Sequence, residues 1–152
     1  MSKVKTLSAL KRIVSHLKKR GKRIVFTNGC FDLLHPGHIK ILKTAKQKGD
    51  VLIVGLNADA SIKRIKGDSR PIIDEKARAC VLSAIEFVDY IILFEEDTPL
   101  RLIQTLRPDC LVKGEDWSKG NIIGREFVKK ICLVKFYPGY STTKIIEKIK
   151  NV

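Results

Sequence analysis

Val51, Leu52, Ile53, Val54, Gly55 and Leu56 form a nearly unbroken apolar run. It is far too short to cross a bilayer, and three of its six residues are β-branched, or would pack like them, on a pleated surface. A strand with one wet face would alternate apolar and polar residues; this one does not, so it is buried on both faces. Four further apolar runs share its character, over 24–26, 88–94, 110–113 and 132–137. Between them the apolar spacing switches to that of helices. Leu7, Leu10, Ile13, Val14 and Leu17 predict an amphipathic helix over 3–20, stopped by Gly21, and Ile39, Leu42 and Ala45 mark the next. Further helices are expected over 57–65, from the Asp74 cap through Ile85, after Thr98 and Pro99, over 123–130 and over 141–150. Strands that alternate with helices need crossover connections, hence parallel pairing. The expectation is an α/β chain: one Rossmann-like, doubly wound, five-stranded parallel sheet with an extra N-terminal helix. It is read as one domain over 1–152, with the helix over 1–20 and the core over 23–152.

In such a sheet ligands bind beyond the carboxyl ends of the strands. The polar segments there are Thr27 to His38 after the first strand, Asn57 to Asp59 after the second, Lys113 to Trp117 after the fourth, and Tyr140 to Lys144 after the fifth. The first is the richest. Asn28 and Gly29 tolerate positive φ, and Pro36 fixes one backbone angle at a helix start. Gly37 admits close approach to the chain, and His35 and His38 bring imidazole donors to unpaired helix N–H groups. Taken singly, each feature has an ordinary structural explanation. Together they describe a phosphate-binding site.

Composition narrows the class further. Hydrophobic residues are 44% of the 152, which excludes a disordered chain, and no apolar run approaches a membrane span. The N-terminal residues lack the apolar core of a signal peptide. Cys30, Cys80, Cys110 and Cys132 are widely spaced, which argues for reduced thiols, a cytoplasmic location and no zinc site. Thirty Lys and Arg against sixteen Asp and Glu give a net charge of +14. That charge suits nucleic-acid binding, and equally an enzyme whose substrates are polyanions. With aromatics at only 7% and no arginine-rich tail, nucleic acid is the weaker reading.

The pattern of Thr27, Gly29, Phe31, Asp32, His35, Gly37 and His38 directly after a strand resembles the signature of the HxGH nucleotidyltransferases. Lys66-Gly-Asp-Ser-Arg-Pro71, Phe94-Glu-Glu-Asp-Thr-Pro99, Leu111-Val-Lys-Gly-Glu-Asp-Trp117 and Tyr140-Ser-Thr-Thr-Lys144 extend the likeness over nearly the whole chain. Together they resemble the bacterial D-glycero-D-manno-heptose 1-phosphate adenylyltransferases, stand-alone or as the C-terminal domain of bifunctional heptose kinase/adenylyltransferases. No kinase domain accompanies the motifs, so no kinase activity is carried over.

The resemblance implies transfer of AMP from ATP to a sugar 1-phosphate, with Mg²⁺ as cofactor, pyrophosphate as product and a homodimeric enzyme. The attacking phosphate is already an anion, so donors rather than bases are needed. His35 and His38 are then the catalytic donors, His38 first. Thr27, Asn28, Gly29, Cys30, Phe31, Asp32 and Gly37 would meet the nucleotide, with Gly114, Asp116 and Trp117 at its base and ribose. Ser141, Thr142 and Thr143 would meet its phosphates, although serine there is also an ordinary helix cap. Asn57, Lys66, Arg70, Arg78 and Lys113 are the candidates for the acceptor and the triphosphate tail. Asp32 would orient a donor, help hold the metal or cap the helix. No metal-ligating residue is assigned. Two features depart from the pattern: related cytidylyltransferases have an arginine shortly before the serine of 141, which is absent here, and Glu115 stands where many heptose enzymes have glycine. Glu115 keeps open a cytidylyltransferase acting on glycerol 3-phosphate. A nucleic-acid-binding module and a catalytically dead nucleotide sensor are the competing readings from other classes.

Overall fold

The computed structural model describes residues 2–115 and 121–152. Five strands, β1 (Ile24–Gly29), β2 (Val51–Asn57), β3 (Tyr90–Phe94), β4 (Cys110–Gly114) and β5 (Lys130–Val134), form one sheet in the order β3-β2-β1-β4-β5. Every pairing is parallel. Six α-helices connect or flank them: α1 (Leu7–Lys19), α2 (Pro36–Lys46), α3 (Asp59–Lys66), α4 (Glu75–Ser83), α5 (Leu100–Leu106) and α6 (Thr142–Lys150). No helix among the described residues is long and apolar enough to cross a membrane.

Alternate residues of the central strands feed two cores. Val25, Leu52, Val54, Leu56 and Val112 face Leu42 and Ala45 of α2 and Ala79 and Leu82 of α4. Ile24, Phe26, Ile53 and Leu111 face Leu10 and Val14 of α1 and Leu102, Ile103 and Leu106 of α5. The unbroken apolar run of β2 thus reflects burial on both faces, as a doubly wound sheet requires.

Several element boundaries differ from the sequence expectation, each for a local reason. The first helix starts at Leu7, capped by Thr6, rather than at residue 3. Residues 3–5 lie extended beside β3 instead, with the Lys5 N–H donating to the Ile91 carbonyl and the Ile91 N–H to the Lys3 carbonyl. They cover part of an exposed sheet edge. The helix expected over 123–130 shrinks to a single 3-10 turn, Arg125–Phe127, because Lys130 is already paired in β5. Gly124 before it has φ +84°, where a side chain would also strike Ile103. β5 ends at Val134, short of the expected 137, because the Phe136 N–H turns to the Glu115 carboxylate and leaves the ladder.

Candidate active site

The sheet order reverses between β1 and β4, where the chain leaves on opposite sides. These two strands pair only through Val25 with Cys110 and Phe26 with Leu111, and then part. Side chains bridge the gap that follows. The buried Thr27 hydroxyl donates to the Val112 carbonyl at 2.9 Å, and the Lys113 ammonium donates to the Asn28 side-chain carbonyl. A crevice therefore opens where ligands bind in such sheets. Above it lies a cavity of about 510 Å³.

The segment after β1 forms the floor. The strand runs on through Asn28 and Gly29, so positive φ does not fall where the sequence suggested. It falls at Phe31 (+48°) and Leu33 (+50°), a costly conformation for bulky residues that concentrates at functional sites. Asp32 is fully buried. Its carboxylate accepts from the Ile72 and Ile73 N–H groups at 2.8 and 3.0 Å and from Arg70 Nε at 3.3 Å. The helix-capping alternative for Asp32 is therefore corrected: His35 is the N-cap of α2, and Asp32 anchors the loop across the crevice. Arg70 also lines the cavity.

The two imidazoles stack, with centroids 3.9 Å apart and planes at 29°. His35 Nδ1 accepts from the Gly37 N–H at 3.1 Å, so its other nitrogen carries the proton. A Cβ at Gly37 would sit 2.8 Å from the His35 ring, so only glycine permits this pose. Burial holds the His35 pKa below its usual value. Burial and the neighbouring His35 push that of His38 down to about 4, against a smaller opposing effect of Asp32. Both rings are neutral at neutral pH. His38 Nδ1 is buried with no hydrogen-bond partner among the described residues, so no carboxylate stands behind the ring to make it a stronger base. The pair is built to donate.

Other predicted residues divide by side. Gly114 and Lys113 at the end of β4 line the cavity, as do Thr142 and Thr143 at the start of α6. Thr142 Oγ1 donates to the Asp32 carbonyl at 2.8 Å, tying α6 to the floor. Ser141 does what a cap does, accepting from the Lys144 N–H at 3.1 Å. Asn57 and Lys66 line the side beyond β2, beside Arg70. Asp116 and Trp117 lie outside the described residues.

Arg78 requires a correction. Its guanidinium is buried and donates to the carbonyls of Ile73, Cys30 and Asn57 at 2.9, 2.7 and 2.8 Å and to the Asp59 carboxylate at 2.6 Å. Four of its five N–H groups are spent on the protein itself. It fastens three segments together and does not present a charge to a phosphate. Glu115 likewise has a structural task, since its Oε1 accepts from the Phe136 N–H at 3.0 Å. The sequence reading used Phe94 to Pro99 only for the resemblance and assigned no site residue to the end of β3, where Asp97, Thr98 and Pro99 join the cavity wall, along with Ile65, Ile123 and Phe136. The strand-end rule applied to the third strand would have found the first three.

A parallel α/β sheet with stacked neutral histidines at a helix start, opening into the crevice at the strand reversal, has the make-up of a nucleotidyltransferase. Comparison with known proteins identifies the group. Residues 26–148 match the model of the cytidylyltransferase-like family, and the chain belongs to that family. It is 57% identical over 143 residues to the bifunctional protein HldE of Helicobacter acinonychis (strain Sheeba), covering 94% of this chain and 31% of that protein. It is 53% identical over 152 residues to the HldE of Geobacter metallireducens, covering 97% of this chain and 31% of that protein. The chain thus spans about a third of the length of these curated relatives. Among solved structures it is similar to the lipopolysaccharide core biosynthesis protein from Thermoplasma volcanium GSS1. The TM-score is 0.64 and the identity 31%, covering 77% of this chain and 98% of the other. Pantoate-beta-alanine ligase from Francisella tularensis shares the fold, with a TM-score of 0.64 at 17% identity over 100% of this chain and 79% of the other.

Proposed function

We propose that the chain transfers AMP from ATP to D-glycero-D-manno-heptose 1-phosphate, releasing pyrophosphate and ADP-heptose, a precursor of the lipopolysaccharide core. The observation that carries the chemistry is the stacked, neutral His35–His38 pair at the mouth of α2. Attack by a phosphate oxygen on the α-phosphorus needs no proton removed. It needs the acceptor and ATP held in line and the charge on the transferring and leaving phosphates stabilised. Imidazole N–H groups on a helix N-terminus supply fixed donors for that charge. Lys66, Arg70 and Lys113 supply cations on either side of the crevice. The heptose assignment rests on the motif resemblance and fits the likeness to HldE proteins and to a lipopolysaccharide core biosynthesis protein.

Mg²⁺ would neutralise charge on the triphosphate. Among the described residues no group of three metal-ligating side chains exists, and the Asp32 carboxylate is already filled by three donors. The donor set therefore fits a metal carried on phosphate oxygens and water. Residues 23–152 act as the catalytic core of one domain, with α1 packed on it. The substrates are soluble small molecules, and the reduced cysteines fit the cytoplasm. Homodimerisation follows from the resemblance and is checked by sedimentation.

The test is pyrophosphate release with Mg²⁺, crossing ATP and CTP with heptose 1-phosphate and glycerol 3-phosphate. Release only with ATP and the heptose is the expected result. Release with CTP and glycerol 3-phosphate would replace the reading by the cytidylyltransferase one, and silence in all four would remove both.

A further inference from the structure

The cavity has one feature that phosphate binding does not explain. The cavity that Lys66 and Arg70 line is also lined by a carboxylate, that of Asp97 in the turn after β3. A carboxylate repels phosphate and accepts hydrogen bonds only. It is also held in place. Arg64 Nε donates to one Asp97 oxygen at 2.8 Å, while the same guanidinium donates to the Glu95 carbonyl. The Ser61 hydroxyl donates to the Glu96 carbonyl at 3.0 Å, and the Ala58 N–H to the Phe94 carbonyl at 2.9 Å. The turn after β3 is thereby stitched to α3 along its length. The second Asp97 oxygen has no partner among the described residues, nor does the Thr98 hydroxyl beside it.

We propose that the free Asp97 oxygen, with Thr98, accepts and orients hydroxyl groups of the acceptor, making the turn after β3 the subsite that reads a polyhydroxylated substrate. The inference rests on the sugar-phosphate reading above and adds the group that distinguishes a sugar from a smaller phosphorylated alcohol. Cations and an acid lining one cavity match a ligand with both a phosphate and hydroxyls: Lys66 and Arg70 meet the first, Asp97 the second. Hydrogen bonds to an ionised acceptor are stronger than neutral ones, and a site that expects a hydroxyl discriminates against a ligand lacking it. Asp97 makes no contact with the His35–His38 pair in the structure, so its effect falls on acceptor binding.

The experiment compares Asp97→Ala and Asp97→Asn with the unaltered protein, measuring KM separately for ATP and for heptose 1-phosphate. The same proteins are then given acceptors lacking one hydroxyl at a time. The expected result is a KM for the sugar phosphate raised about tenfold, a KM for ATP within about twofold, and a loss of discrimination at one hydroxyl position. Arg64→Met, which frees the carboxylate from its anchor without removing it, should give a smaller change of the same kind. An unchanged acceptor KM and hydroxyl preference in folded Asp97→Ala would overturn the inference and leave the reaction standing. Equal rises in both KM values would also overturn it, because a collapsed turn rather than a lost contact would be responsible. If the unaltered protein turns over no sugar phosphate, the parent reading fails and this subsite fails with it.

Discussion

Gly37 shows how one residue's absence of a side chain sets another's chemistry. A methyl there would meet the His35 ring and displace it from the Gly37 N–H and from the stack with His38. Gly37→Ala is expected to lower kcat/KM about a hundredfold while moving the thermal midpoint by only a few degrees. His38 carries a pH signature as well. In the unfolded chain a histidine protonates at pH ~6.5, whereas folded His38 resists until about 4. Between these values the unfolded chain binds more protons, so stability falls as pH drops through that window. Thermal midpoints of His38→Gln, measured from neutral pH down to about 4.5, should decline less steeply than those of the unaltered protein. The histidines should add no ionisation of their own to the activity profile above neutrality, where both rings are neutral. At this scale the placement of Gly29, His38, Gly114, Thr142 and Thr143 on the crevice was legible because each lies at or close to the end of a strand or the start of a helix. Arg78 was not: a basic residue in a helix reads as a phosphate ligand or a surface charge, and only the fold shows the carbonyls that surround it.

Among the elements, α4 is held to the site by its single buried cation. Removing the Arg78 side chain would leave the buried Asn57 carbonyl, the half-buried Ile73 and Cys30 carbonyls and the Asp59 carboxylate without their donor. Arg78→Met should therefore cost about 3 kcal/mol or more in denaturant unfolding, with Arg78→Lys recovering only part of it. α6 depends on the Ser141 cap and on the Thr142 bond to the Asp32 carbonyl. Ser141→Ala should cost about 1 kcal/mol by the same measurement, with a modest effect on turnover. Elements with a continuous apolar signal, such as β2, were readable to within a residue. The segment over 123–130 was not, because Phe127 and Val128 pack on the core from a 3-10 turn and the extended residue after it rather than from a helix face. Short apolar runs do not reveal their period.

For the whole molecule, charge and topology act together. A chain of net charge +14 attracts triphosphates and sugar phosphates over distances that salt screens. The KM for ATP should rise several-fold between about 50 and about 500 mM salt, with kcat changing less. The class of sheet could be read from alternation alone, whereas the strand order could not, and it is the order that places the crevice. That crevice receives the floor from β1, one wall from β4, β5 and α6, and the other from β2, β3 and their loops. The two walls come from different strand ends and meet on the floor at Asp32, which both Thr142 and the loop of Arg70 to Ile73 hold. If the turn after β3 reads the acceptor as proposed above, a lineage built on this plan can trade one acceptor for another by altering the turns after β2 and β3 while keeping the histidines unchanged. Divergence of substrate then needs no new catalyst, only a new wall.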